Sequence, residues 1–176
     1  MNTLRPALFL DRDGVINVDK GYVSQIDNFE WVKGAKETIA SFKANGWYVF
    51  IVTNQSGIAR GYYTEDDMHT LHNWMTAELE AAGAPIDKIY YCPYHEDGEV
   101  TRYRKASFDR KPSPGMLLQA MAEFPVKRVA SFLIGDKDTD IKAARAAGIA
   151  GFLFKGGDLK TFAEWTLAGF EEGNRG

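Results

Sequence analysis

Two aspartates separated by one residue, Asp11 and Asp13, close the apolar run Ala7–Leu10 and are followed at once by Gly14. Residues two apart in extended backbone project to the same side, so both carboxylates can address one reacting centre. One can attack while the other handles a proton, and a divalent cation can hold the pair together against its like charge. Gly14 permits a sharp turn and a close approach of backbone to a ligand. The same residues also make an inert acidic turn after a buried strand, and such pairs are common at strand ends.

Three further segments carry candidate chemistry. Thr53, Asn54, Gln55 and Ser56 end a second apolar run, where a small hydroxyl and successive turn amides donate to phosphate oxygens without adding charge. A polar turn closing a buried strand reads equally well. Arg110 and Lys111 precede Pro112: the lysine offers a point charge to a phosphoryl group, the arginine a fork for a second anion. With Arg102, Arg104 and Lys105 they make a cation-rich loop in an acidic chain, which points to an anionic ligand over a merely solvated loop. The run Ile134-Gly135-Asp136-Lys137-Asp138-Thr139-Asp140 places Asp136 where Mg²⁺, a hard cation, finds oxygen ligands. Asp138 and Asp140 are explained by a helix start, and Gly135 implies a close backbone approach.

These groups meet only if the elements bearing them run parallel. Candidate strands are Ala7–Leu10, Trp47–Val52, Lys88–Cys92, Ser131–Ile134 and Gly151–Phe154. Helical patterns cover Ala35–Asn45, Thr64–Ala82, Pro114–Glu123, Thr139–Ala147 and Leu159–Leu167. Gly46, Gly83 and Gly148 stand at left-handed caps, Thr64 with its acidic first turn starts a helix, and Pro114 suits a first helical position. The alternation predicts an α/β fold, a three-layer Rossmann-like parallel sheet with helices on both faces and right-handed crossovers. The loops Val15–Lys33, Ser56–Tyr63 and Pro93–Lys111 then gather at the carboxyl edge, where open α/β sheets bind ligands. None is long enough for a separate cap domain, so a single domain over 1–176 is expected.

The 176 residues are 45% hydrophobic and 26% charged, ordinary for a globular protein with a substantial core. A net charge of −3 argues against nucleic-acid or anionic-membrane partners. The single cysteine, Cys92, fits a reducing compartment, and neither a signal-peptide core nor a membrane span is present, so a cytoplasmic enzyme is expected. Nothing indicates an oligomeric state.

The four segments in this order resemble the haloacid dehalogenase (HAD) superfamily of phosphohydrolases. Finer runs (LDRDGVIN, DKGYV at Asp19–Val23, VTNQSGIARG at Val52–Gly61, RKPSPGM at Arg110–Met116, GDKDTD) are similar to the D-glycero-D-manno-heptose 1,7-bisphosphate 7-phosphatase group, with the histidinol-phosphate phosphatases as near relatives. The resemblance implies that Asp11 is the nucleophile, forming an aspartyl-phosphate, and Asp13 the general acid/base. Thr53 and Lys111 would hold the phosphoryl oxygens; Asp11, Asp136 and the backbone carbonyl of Asp13 would bind Mg²⁺. It also implies substrate contacts from Asp19, Lys20, Gly21, Tyr22, Arg110 and Lys137, beside Thr53, Asn54, Gln55, Ser56 and Lys111. An acid role asks for an Asp13 pKa well above about 3.9, which burial near a negative group can supply.

One departure stands out. The group commonly carries a structural zinc on a C-x-H then C-x-C pattern, but here Tyr94 follows at the histidine position after Cys92, and Ser107 and Asp109 replace the later cysteines. Without its thiolates the site is predicted to hold no zinc, despite His95 nearby. The loop is then packed through Tyr91, Tyr94, Tyr103 and Phe108. His69 and His72 read as helix residues rather than metal ligands, Trp47 and Trp74 as core, while Trp31 and Tyr22 are candidates to face substrate. The expectation is a Mg²⁺-dependent phosphatase of a small phosphorylated sugar. Histidinol phosphate is the rival substrate, and a catalytically silent binding protein on the same fold is the rival from another class.

Overall fold

The structure is a computed structural model, which describes residues 3–175. Five strands alternate with five helices: β1 (Ala7–Leu10), α1 (Ala35–Ala44), β2 (Tyr48–Asn54), α2 (Glu65–Ala81), β3 (Lys88–Cys92), α3 (Gly115–Glu123), β4 (Phe132–Gly135), α4 (Asp138–Ala146), β5 (Ala150–Leu153) and α5 (Leu159–Gly173). All strand pairs are parallel, in the order β3-β2-β1-β4-β5.

The period-2 geometry of the strands sorts the core into two layers. Leu8, Leu10, Val49, Ile51, Phe132 and Ile134 pack with Ile39 and Phe42 of α1, Leu71, Met75 and Leu79 of α2, and Leu159 and Ala163 of α5. Their alternates Ala7, Phe9, Phe50, Val52 and Leu133 pack with Met116, Leu117 and Ala120 of α3 and Ala143 and Ala144 of α4. Each such buried Leu, Ile or Phe contributes about 1.5–3 kcal/mol of transfer free energy.

Several element ends differ from the sequence pattern. β2 runs two residues beyond Val52, because Thr53 and Asn54 still pair with Tyr91 and Cys92. Pro114 is the N-cap of α3, with φ −93° and ψ 9°, not its first helical residue. α5 continues past Leu167, its later turns held by Phe170 against the rings of Phe132 and Phe152. The helix starts and stops otherwise follow their local chemistry. Thr64 accepts from the Asp67 amide while the Asp67 carboxylate accepts from the Thr64 amide, a reciprocal cap on α2. Gly46, Gly83 and Gly148 hold φ of 82°, 69° and 76°. Among the described residues no helix is long and apolar enough to cross a membrane.

Candidate active site

β1 is the strand at which the chain order reverses, with β2 on one side and β4 on the other. A crevice opens at the carboxyl end of such a strand. There the Asp11 amide donates to the Ile134 carbonyl at 3.2 Å, extending the β1–β4 ladder by one residue. Gly14 then turns at φ 87°, and a Cβ on it would overlap Oδ2 of Asp136. Gly135 is needed for a similar reason: its missing Cβ leaves room for the side chain of Asp140. The close approach inferred at Gly135 is therefore to a neighbouring carboxylate.

The two motif carboxylates meet opposite surroundings. Asp13 Oδ1 accepts from Arg12 Nη2 at 2.9 Å and Asn17 Nδ2 at 3.0 Å, and Oδ2 accepts from Gln55 Nε2 at 3.2 Å. Burial alone would raise its pKa, but the Arg12 guanidinium and these donors outweigh it and hold the carboxyl below its usual range. The rise expected from burial near a negative group is thus outweighed here by Arg12 and the neutral donors. Gln55 is oriented in turn: it accepts from the buried Tyr63 hydroxyl and donates to Thr53 Oγ1 at 2.8 Å.

Asp11 accepts from Lys111 Nζ at 3.0 Å and from the Arg12 amide at 2.8 Å. Lys111 is buried and saturated, since Nζ also donates to Asp140 Oδ1 at 2.5 Å and the Val52 carbonyl at 2.9 Å. Burial works against its charge, yet Asp11 and Asp140 outweigh burial and raise its pKa. Asp11 itself is pushed well above the usual carboxylate range, by burial first and by Asp140, Asp13 and Asp136 beyond what Lys111 offsets. Carboxylate oxygens of Asp11, Asp136 and Asp140 lie within 4.8 Å of one another. When ionised, the three carboxylates outnumber the ammoniums of Lys111 and the more exposed Lys137, an excess that a bound cation offsets. Asp136 Oδ1 is buried without a partner, whereas both Asp140 oxygens are taken, one by Lys111 and the other by the amides of Asp136 and Lys137. The donor set thus fits a hard cation, with Asp136 offering a free oxygen and Asp140 serving to position.

A recess of about 50 Å³ that includes Asp11 and Asp140 shares Asp13, Asn54, Lys111, Lys137 and Thr139 with an adjoining cavity of about 450 Å³. The larger cavity brings together Asp13, Asp19, Gly21, Tyr22, Asn54, Gln55, Ser56, Arg110, Lys111 and Lys137 of the expected site. Tyr22 stands in left-handed backbone at φ 48°, its ring edge-on to Tyr62. Asp19 accepts from the Gly21 amide and faces Lys137 at 3.7 Å. Thr53 is buried at the end of β2. Lys20 is not among the lining residues; its ammonium pairs with Glu30 at 3.1 Å. Trp31 packs against Phe29 and Trp74 instead of the cavity.

Sequence reasoning passed over Arg12, Arg60, Tyr63, Asn17 and Asp140. Arg60 lines the same cavity, and its Nε, like Nη1 of Arg110, is buried with no partner. A cation within a strand-end motif is the signal Arg12 gave. His72 lies on the buried stripe of α2 with Met68, Leu71, Met75 and Leu79, a spacing that marks it as interior.

Of the five loop cations, only Arg110 and Lys111 line the cavity. Arg102 sits over the Tyr103 ring at 4.6 Å and Lys105 over Tyr94 at 4.2 Å, so these bind the loop to itself. Tyr103 packs with Ile58, Tyr63 and Met68, and Tyr91 and Tyr94 join them. Phe108 is 62% exposed and takes no part. Cys92 is buried, and His95 accepts from the Asp97 amide and lies 3.4 Å from Arg60.

Comparison with known proteins places these residues in a family. A HAD-hydrolase-like family model matches residues 108–166. The chain is 48% identical over 163 residues to a D-glycero-beta-D-manno-heptose-1,7-bisphosphate 7-phosphatase of Rhodopseudomonas palustris, covering 93% of this chain and 91% of the relative. It is 49% identical over 143 residues to a Burkholderia mallei protein named for the alpha anomer of the same sugar, covering 81% and 76%. A crystal structure of D,D-heptose 1,7-bisphosphate phosphatase from B. bronchiseptica, complexed with magnesium and phosphate, superposes with a TM-score of 0.83 at 29% identity, over 93% of this chain and 99% of that one.

Proposed function

The chain belongs to the heptose 1,7-bisphosphate 7-phosphatase group of the HAD superfamily and is a phosphatase, and we propose that it removes the 7-phosphate of D-glycero-D-manno-heptose 1,7-bisphosphate. Asp11 attacks phosphorus from the floor of the recess; the bond to the sugar oxygen breaks and that oxygen takes a proton from Asp13. Water then gives a proton to the Asp13 carboxylate and its oxygen attacks phosphorus, releasing phosphate and restoring Asp11. The low pKa of Asp13 in the free pocket suits the second half, and a phosphate dianion arriving beside it raises its proton affinity for the first. Thr53 Oγ1 accepts from Gln55 and its hydroxyl lies 3.5 Å from the Asn54 carbonyl, a long contact that it would exchange for a phosphoryl oxygen, and Lys111 supplies a fixed charge. Asp11, Asp136 and the backbone carbonyl of Asp13 would hold Mg²⁺, which when bound neutralises the equatorial oxygens. The loop around Cys92 would stand on its aromatic packing without zinc; about one zinc per chain by elemental analysis would overturn that.

One observation carries the choice of substrate: the unmet buried donors of Arg60 and Arg110 on the wall of the cavity whose inner recess holds Asp11. Two guanidiniums with free N–H groups select a second anion at the far end of the substrate. Histidinol phosphate presents an ammonium there and would be repelled. We expect kcat/KM for the heptose bisphosphate to exceed that for histidinol phosphate by ~100-fold or more, the scale of one lost charged hydrogen bond plus repulsion. A preference for histidinol phosphate would overturn the assignment.

A further inference from the structure

Arg12 heads the fully buried side chains by size, with no exposed surface. A guanidinium so placed forfeits its hydration, and apolar side chains of similar volume commonly serve stability as well or better. Its contacts tie three separate parts of the chain to one group. Nη2 donates to Asp13 Oδ1 at 2.9 Å and to the Val23 carbonyl at 2.6 Å, while Nη1 lies 3.1 Å from His72 Nε2 on α2. Val23 directly follows Tyr22 of the cavity wall, so the group that aims Asp13 also fixes that wall. His72 is 4% exposed, and burial together with Arg12 depresses its pKa to about 3, so it is neutral; because Arg12 Nη1 can only donate, Nε2 is assigned as the acceptor and the hydrogen to Nδ1. The planar fork is what allows one residue to meet all three acceptors; an ammonium on a flexible stem lacks that geometry.

Resting on the roles given above to Asp11 and Asp13, we propose that Arg12 is a positioning residue, braced by His72, that holds the Asp13 carboxylate in line for proton transfer and locks the Tyr22–Val23 segment to it. A purely structural Arg12 would instead tie α2 to the first loop without regard to which chemical step is under way.

The two roles separate by leaving group. The sugar oxygen needs a proton as its bond to phosphorus breaks, whereas p-nitrophenolate leaves without one. Wild type, Arg12→Lys, Arg12→Met and Asp13→Asn are compared on the heptose bisphosphate and on p-nitrophenyl phosphate, with Mg²⁺ present and folding checked by thermal melting. For both Arg12 variants we expect kcat on the sugar phosphate to fall ~100-fold or more, the scale of one general acid–base group. The first turnover of p-nitrophenyl phosphate should change by less than ~5-fold, leaving a burst of p-nitrophenolate ahead of slow phosphoenzyme hydrolysis. Equal losses on both substrates in folded Arg12 variants, or a sugar-phosphate kcat near that of wild type, would overturn the proposal. Asp13→Asn is the control: if it fails to show the selective loss, the role of Asp13 falls and not merely that of Arg12. Should neither Arg12 variant fold, His72→Asn decides by the same comparison, selective loss supporting the brace and uniform loss refuting it.

Discussion

Asp13 keeps a private cation, whereas Asp11 shares Lys111 with Asp140 while Asp136 stands by with an unmet oxygen. The ionised Asp13 and the strongly raised Asp11 both follow from that unequal division. Among the described residues the second pair of cations, Arg60 and Arg110, has no carboxylate partner, and burial first, with the charge of Arg60 beyond it, lowers the Arg110 pKa. Arg60→Ala and Arg110→Ala are therefore each expected to cut kcat/KM for the bisphosphate by about 10–100-fold, one charged hydrogen bond each, while a 7-monophosphate of the same sugar loses little. Equal losses on the two substrates would remove the distal-anion role. His72 gives a stability prediction at the same scale. Its folded pKa of about 3 lies below the unfolded ~6.5, so between these values the unfolded chain binds the extra proton. Stability is full above about pH 6.5 and is lost on acidification by up to about 1.4 kcal/mol per pH unit from this one group. Denaturant melts of wild type and His72→Asn between pH 7 and 4.5 should differ in slope; parallel profiles would show that His72 does not titrate on unfolding.

Glycines set the element scale, because the strand ends must pass close to one another. Gly14→Ala puts a methyl into Asp136 and a side chain at φ 87°, so both activity and Mg²⁺ response should be lost. Gly46→Ala, away from the cavity, offers a control with a similar φ of 82° and open space around the new methyl. It should cost only about 1 kcal/mol in melting experiments and retain turnover; equal damage from both would mean that backbone strain, not the Asp136 contact, governs the loss at Gly14. The parallel alternation of strands and helices, and with it the gathering of Asp11, Thr53, Lys111 and Asp136 at one sheet edge, was legible in the sequence, because apolar runs and glycine caps report burial and chain reversal directly; the order of the strands across the sheet was not. What stayed hidden was lateral. Thr53 and Asn54 look like a turn until their partners on β3 are known, and Phe170 becomes a helix anchor only beside Phe132. Asp140 passed for a helix-start residue because nothing in its neighbourhood announces Lys111, twenty-nine residues earlier in the chain. Arg102 and Lys105 have charge patterns that fit an anion site, yet aromatic rings claim them first.

Across the whole molecule, the excess charge at the centre of the sheet links folding to the metal. With Mg²⁺ chelated, Asp11, Asp136 and Asp140 crowd one site with Lys111 buried among them and Lys137 at its more exposed side, and burial first, then Asp140, raises the Asp136 pKa. Removing one of these charges relieves repulsion, so Asp136→Asn in excess chelator should melt no lower than wild type. Adding Mg²⁺ reverses the ranking. A cation at a hundred times its dissociation constant stabilises the folded chain by about 2.7 kcal/mol, which for a protein of this size raises Tm by roughly 5–10 °C. Asp136→Asn should lose most of that shift, whereas Asp138→Asn, at an exposed residue paired only with Lys142, should keep it. A full Mg²⁺ shift in Asp136→Asn would exclude Asp136 as a ligand. A large drop in its Tm under chelation would instead mean that the carboxylate supports the fold directly, and the charge argument for the divalent cation would lose its basis.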